Sequence, residues 1–193
     1  MSDPFVIDTA RVRRSFGRSA GAYDAAAVLQ ARVREELLGR LDLVRLEPVA
    51  VLDLGAGTGH ASLALKRRYP SSRVVALDLA EGMLRSARRR QTLLRRFATV
   101  CADATSLPLR DACVDLVFSN LMLQWCNDPD AVFRECRRVL RPGGLLTFAT
   151  LGPDTLMELQ RAWAVADGHV HVNRFIDMHD LGDALVRSGL AEP

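Results

Sequence analysis

Apolar residues along the chain follow two alternating rhythms. Leu29, Val33, Leu37 and Leu41 recur every four residues, with Val28 and Leu38 widening the stripe. That spacing predicts a helix, ended by Glu47-Pro48. Short, nearly unbroken apolar runs begin after it. Residues 49–54, 73–77, 97–101, 114–118 and 145–151 each read as a strand buried on both faces. Helical patterns separate them. One spans 59–69 and stops at Pro70, and one spans 81–90. A third starts at Asp128-Pro129, an N-cap followed by proline, and turns Phe133, Cys136 and Leu140 inward. Arg141-Pro142-Gly143-Gly144 reads as a turn before the fifth strand. Two further helices follow, at 154–166 and after Asp177. The last buries Leu181 and Leu185 and ends at Gly189.

Strands that are apolar on both faces and alternate with helices predict an α/β fold, a mostly parallel sheet with helices on both sides. Ligands in such sheets bind beyond the carboxyl ends of the strands, where strand order reverses.

Composition narrows this picture only a little. A chain of 193 residues, 49% apolar and 25% charged, has enough material for one domain with a real core. No apolar run approaches the ~20 residues needed to span a bilayer, and the N-terminus lacks a secretory pattern. A net charge of +3 is too small to argue for nucleic acid. The first twenty-odd residues are polar and basic, carrying Arg11, Arg13, Arg14 and Arg18. A second cluster runs from Arg85 to Arg96. It reads as a solvated helix face or as a docking site for an acidic partner. Cys101, Cys113, Cys126 and Cys136 form no CxxC pair. Cys101 and Cys113 flank predicted strands and read as buried free thiols in a reducing, cytoplasmic compartment. His169, His171 and His179 have no carboxylate or cysteine to complete a ligand set, so no metal is expected.

The candidate chemistry sits at the end of the first strand, in Val51-Leu52-Asp53-Leu54-Gly55-Ala56-Gly57-Thr58-Gly59-His60. A dinucleotide fingerprint starting at Gly55 needs glycine or alanine at position 60, where His60 stands. The third glycine comes one residue early, so the turn is not spaced for a pyrophosphate. Asp53 suits a cationic ligand better. The pattern Asp-x-Gly-x-Gly-x-Gly resembles that of Rossmann-like, class I S-adenosylmethionine-dependent methyltransferases. That resemblance implies a cofactor site made by Asp53, Gly55, Ala56, Gly57 and Gly59, with Leu79 and Met83 beside it. It puts Asp78 on the ribose hydroxyls, Asp103 and Ala104 at the adenine, and Asn120 at the methionine end. Met83 reads more readily as core, and Asp78 and Asp103 equally as turn or cap residues.

A narrower resemblance runs nearly end to end. Ser15-Phe16-Gly17-Arg18, Tyr23-Asp24, Gln124-Trp125-Cys126, Gly152-Pro153-Asp154 and Asn173-Arg174-Phe175 are similar to segments of the malonyl-acyl-carrier-protein O-methyltransferases of biotin synthesis. It implies methylation of the free carboxylate of a malonyl thioester on acyl carrier protein. It also implies one domain over 1–193: a helical lid at 1–47, a cofactor core at 48–151 and substrate-side helices at 152–193. Tyr23 is then a candidate for closing over the cofactor, or a helix-capping core tyrosine. Arg174 is a candidate for orienting the malonyl carboxylate, or a partner of Asp177 or Asp180. Gln124 and Trp125 are candidates for a substrate wall, with plain packing the other reading of Trp125. Relatives in that family carry further strands beyond this point. Their absence leads one to expect an exposed edge on the fifth strand, with poor solubility or self-association. Rival readings are a methyltransferase for another small carboxylic acid of the aconitate type, a protein-modifying assembly factor of the same fold, and a cofactor-binding module without catalysis.

Overall fold

The computed structural model describes residues 6–167, 172–173 and 175–191. In chain order the elements are α1 (Thr9–Ser19), the short α2 (Tyr23–Ala26), α3 (Val28–Arg40), β1 (Ala50–Leu54), α4 (His60–Arg68) and β2 (Arg73–Asp78). After these come α5 (Glu81–Arg90), β3 (Ala98–Cys101), β4 (Val114–Asn120), α6 (Pro129–Val139), β5 (Leu140–Ala149), α7 (Met157–Ala166) and α8 (Met178–Arg187). The strands form one parallel sheet in the order β3-β2-β1-β4-β5. β1 is central, and the chain crosses back past it between β3 and β4. The loops after β1 and β4 therefore diverge and leave a crevice at their carboxyl ends.

Period-two alternation sorts β1 between two cores. Leu52 and Leu54 face a core shared with Phe133, Val139, Leu181 and Leu185, which α6 and α8 cover. Val51 faces the other side, with Leu37, Leu65, Leu84, Leu116 and Phe118 under α3, α4 and α5. Asp53 falls on that second side and is 1% exposed. Asp128 caps α6 by accepting from the Ala131 N–H, as the Asp-Pro signal predicts.

Several sequence expectations need correction. Arg141-Pro142-Gly143-Gly144 is not a turn ahead of the fifth strand. It is an irregularity inside β5, where the register jumps from Val114↔Leu140 to Leu116↔Leu145. The helical stripe from Leu29 to Leu41 is buried only at its end, at Leu37 and Leu41. Val28 and Leu29 are exposed because the first half of α3 hangs over a cavity instead of the sheet. Cys101 is exposed and Cys113 half-buried. β3 is an edge strand, so its residues have sheet neighbours on one side only. α7 begins at Met157, three residues later than the pattern suggests, after Leu156 takes a left-handed φ of 61°.

Candidate functional site

At the carboxyl end of the sheet, α1 and the loops after β1 to β4 enclose a cavity of about 310 Å³. A second cavity of about 170 Å³ lies on the other side of the glycine loop, beneath α2 and α3. Tyr23, Gly55, Gly57 and Asn120 line both, so the two flank one loop.

The loop is shaped from within. Gly55 and Gly57 take φ of 78° and 54°, and the Gly55 and Ala56 N–H groups both donate to the Leu77 carbonyl. Asp78 closes the turn: its carboxylate accepts from Gly57 N–H and Ala80 N–H, each at 2.8 Å. Burial raises the Asp78 carboxyl above the usual range, and the two backbone hydrogen bonds oppose that rise. Asp53 is reached from the smaller cavity and accepts from Ser62 Oγ at 2.5 Å. Burial pushes it up to about 7; the Ser62 hydrogen bond works against this and the charge of Asp78 adds to it.

The larger cavity gathers Asp78, Leu79, Met83, Asp103, Ala104, Asn120 and Trp125. Asp103 accepts from the Thr105 N–H and hydroxyl. Asn120 donates through Nδ2 to the Gln30 carbonyl at 3.0 Å. That bond fixes its amide, and Oδ1 is left buried without a donor among the described residues. Ala56 joins the smaller cavity with Asp53. Two predicted residues line neither. Gly59 packs instead against α5, and Gln124 is tied to the Leu121 carbonyl and the Thr150 hydroxyl. Arg174 lies outside the described residues, as do His169 and His171. His179 pairs locally with Asp177, the N-cap of α8.

The resemblance implies a helical lid at 1–47 but does not single out the residues of α1 that form the cover. Thr9, Val12 and Phe16 of α1 wall the larger cavity. Their i, i+3, i+7 spacing was readable but sparse inside a basic segment. Phe16 stands edge-on to both Tyr23 and Trp125, at centroid distances of 6.1 and 5.1 Å. Two polar anchors hold the cover down. Ile7 exchanges both backbone bonds with the Asn127 amide, at 2.8 and 2.9 Å. Asp24 accepts from Thr58 Oγ1 at 2.6 Å and Arg90 at 2.5 Å, and lies 3.3 Å from His60. Burial works to raise its carboxyl, but Thr58, His60 and Arg90 together hold it below the usual range. Burial pushes the Tyr23 hydroxyl up, helped by Asp78 and Asp24.

The buried carboxylate of Asp53, the half-buried one of Asp78 and the Oδ1 of Asn120 surround the loop, with Arg34 of α3 lining the smaller cavity and Arg90 donating to the Thr58 carbonyl at 3.0 Å. This acceptor set asks for a cation. A pH dependence follows. Below about pH 7 Asp53 is mostly protonated in the free protein, so a cationic ligand must displace a proton to bind. Affinity for S-adenosylmethionine is expected to rise about tenfold per unit up to about pH 7 and then level. The ligand-free protein should lose stability as pH rises from the ordinary carboxyl value toward about 7, because the folded value lies above the free one. Calorimetric titrations across pH 5.5–8.5 check this, with uncharged adenosine as the pH-flat control (about 3 units of range). Equal slopes for the two ligands would remove Asp53 from the cation site.

Comparisons with known proteins agree with this geometry. A family profile described as "Methyltransferase domain" matches residues 52–148. The malonyl-[acyl-carrier protein] O-methyltransferase of Methylovorus sp. (strain MP688) is 57% identical, over 100% of this chain and 67% of its own length. That of Laribacter hongkongensis (strain HLHK9) is 54% identical, over 100% and 68%. The chain thus spans about two thirds of the length of these relatives. Among solved structures, a SAM-dependent methyltransferase from Thermotoga maritima superimposes with a TM-score of 0.68 at 20% identity, covering 92% of this chain and 80% of that one. That likeness speaks for the fold alone.

Proposed function

The chain belongs to the malonyl-[acyl-carrier protein] O-methyltransferase family, and on that footing we propose that it methylates the free carboxylate of a malonyl thioester carried on acyl carrier protein, a step of biotin synthesis. The observation that carries the reading is the pair of carboxylates on the two sides of the glycine loop, Asp53 buried and Asp78 half-buried. S-adenosylmethionine fits them: it is a cation with ribose hydroxyls to donate, and when bound it supplies a methyl group already activated by its positive sulfur.

The residues of the chain have the remaining work. Asp78 would accept from the ribose and keep the loop open through Gly57. Asp103 and Ala104 would meet the adenine, with Leu79 and Met83 as apolar walls. Asp53 and the free Oδ1 of Asn120 would take the methionine ammonium end. The malonyl carboxylate ionises near pH ~4 and needs no general base at neutral pH. Positioning and water exclusion are therefore the catalytic demands. Phe16, Tyr23 and Trp125 supply an apolar, edge-packed cover for that purpose. Arg174 remains a proposed contact for the substrate carboxylate.

No described helix is long and apolar enough to cross a membrane. We place the reaction in the cytoplasm, in keeping with four free cysteines and a carrier-borne substrate. Mass spectrometry of malonyl-carrier protein incubated with the chain and S-adenosylmethionine tests the reading. A gain of one methylene, lost again on mild ester hydrolysis, is expected. An unchanged malonyl group beside a methylated free diacid would reassign the substrate.

A further inference from the structure

The cover over the larger cavity has an outer face that its role in closure leaves unused. On α1, Thr9, Val12 and Phe16 line the cavity. Arg11, Arg14 and Arg18 repeat that spacing two residues later, about 200° around the helix, and so point away from it. All three are exposed, as is Arg13, and none makes an ion pair among the described residues. The helix itself contains no acidic residue.

The positive face does not end with α1. α1 crosses α5 at Gly17 and Gly82, where a Cβ on Gly82 would collide with the Gly17 carbonyl oxygen. Arg85 and Arg89 follow Gly82 at three and seven residues, so they share its side of α5. Neither makes an ion pair among the described residues, whereas Arg88 is neutralised by Glu81 and Arg90 by Asp24. The second arginine cluster of the sequence is therefore divided. Part of it builds the fold, and the remainder joins the arginines of α1 at the helix crossing. Arg14, Arg18, Arg85 and Arg89 surround this crossing, and Phe16 and Met83, one on each helix, line the cavity beneath it.

We propose that this α1–α5 arginine face is the docking surface for the acidic side of the acyl carrier protein that presents the malonyl thioester. The inference rests on the substrate assigned under Proposed function. Unpaired guanidinium groups on a cavity's own cover are suited to carboxylates and to the phosphodiester of the thioester-bearing arm, through their planar forks. Placing the partner's charge at the rim steers the tethered substrate to the opening before the cover closes.

The test compares malonyl-carrier protein binding to the full chain with binding to R14E/R18E/R85E/R89E. R40E/R45E/R67E/R73E makes the same change of net charge at exposed arginines elsewhere. Biolayer interferometry should show at least about tenfold weaker binding for the first and under about threefold for the second. Binding to the unaltered chain should weaken as salt rises past physiological strength. S-adenosylhomocysteine affinity should be the same in all three, and if charge reversal disturbs it, R14Q/R18Q/R85Q/R89Q replaces the first. Equal losses in patch and control variants, or no carrier binding by the unaltered chain, would overturn the docking face. Methylation of a small malonyl thioester is measured in parallel and should be unaffected by the patch. If the unaltered chain fails to methylate that thioester, the assigned reaction is wrong, while the binding comparison still judges the face.

Discussion

Asp78→Ala is expected to weaken binding of S-adenosylmethionine or its demethylated product by at least about a hundredfold. The carboxylate holds two backbone donors, Gly57 N–H and Ala80 N–H, at 2.8 Å each. Removing it leaves both without an acceptor in a half-buried turn, at about 1–3 kcal/mol each. The glycine loop must then rearrange to reach water, and the ribose loses a carboxyl acceptor worth about 0.5–1.5 kcal/mol. Every 1.4 kcal/mol is about a factor of ten in affinity, so the combined effect passes a hundredfold. Asp78→Asn should fall between, since its amide oxygen can satisfy one N–H while its NH₂ opposes the other. Isothermal calorimetry reads the affinities, and circular dichroism reports whether the sheet survives. An alanine variant that binds within about threefold of the unaltered chain would show that the loop stands without Asp78, contrary to the role given it.

The second large effect is expected from Gly59→Val, through packing and not through ligand contact. Gly59 has a φ of 83°, where a β-branched residue is strained by about 1–3 kcal/mol. Its Cβ would stand 2.7 Å from the Ala87 Cβ and 3.3 Å from the Phe97 ring. Ala87 is fully buried, so α5 must shift as a unit, at a further cost of about 1–3 kcal/mol. At about 2–4 °C per kcal/mol for a chain of this size, melting should fall by about 10 °C. Cofactor affinity should fall with it, because α5 carries Met83 in the cavity wall and Arg90 in the latch on Asp24. Gly189→Ala is the comparator. It also has a positive φ, 76°, but meets open space, so it should cost only the backbone term of about 1–2 kcal/mol. Equal losses for the two would show that the contact with α5 has no share in the effect.

These variants mark where sequence reading succeeds and where it stops. The glycine loop and the acids at successive strand tips were legible because both are local. A strand, a tight turn and a helix follow one another within a dozen residues, and a carboxylate at a strand's end needs no distant partner to be noticed. The role of Gly59 was not legible. Its spacing places it in the cofactor pattern, yet its lack of a side chain serves the approach of Ala87, twenty-eight residues away. Gln124 shows the same limit: adjacency to Trp125 suggested a shared wall, but the short turn at Leu123–Trp125 sends the amide to Leu121 and Thr150.

By itself the sequence determined the alternation of strand and helix, the parallel sheet and the class of ligand at its edge. Each of these follows from periodicity, from turn chemistry and from the charge of a few residues close together in the chain. Only the tertiary structure decided which residues of α1 cover the site, that Asp24 latches the cover through Thr58, His60 and Arg90, and which arginines remain unpaired among the described residues. Those outcomes depend on pairings across tens of residues, between groups whose own neighbours in sequence carry no trace of the partner. A charged side chain reads the same on paper whether it is neutralised inside the fold or turned outward, and the chain must be folded before the two can be told apart.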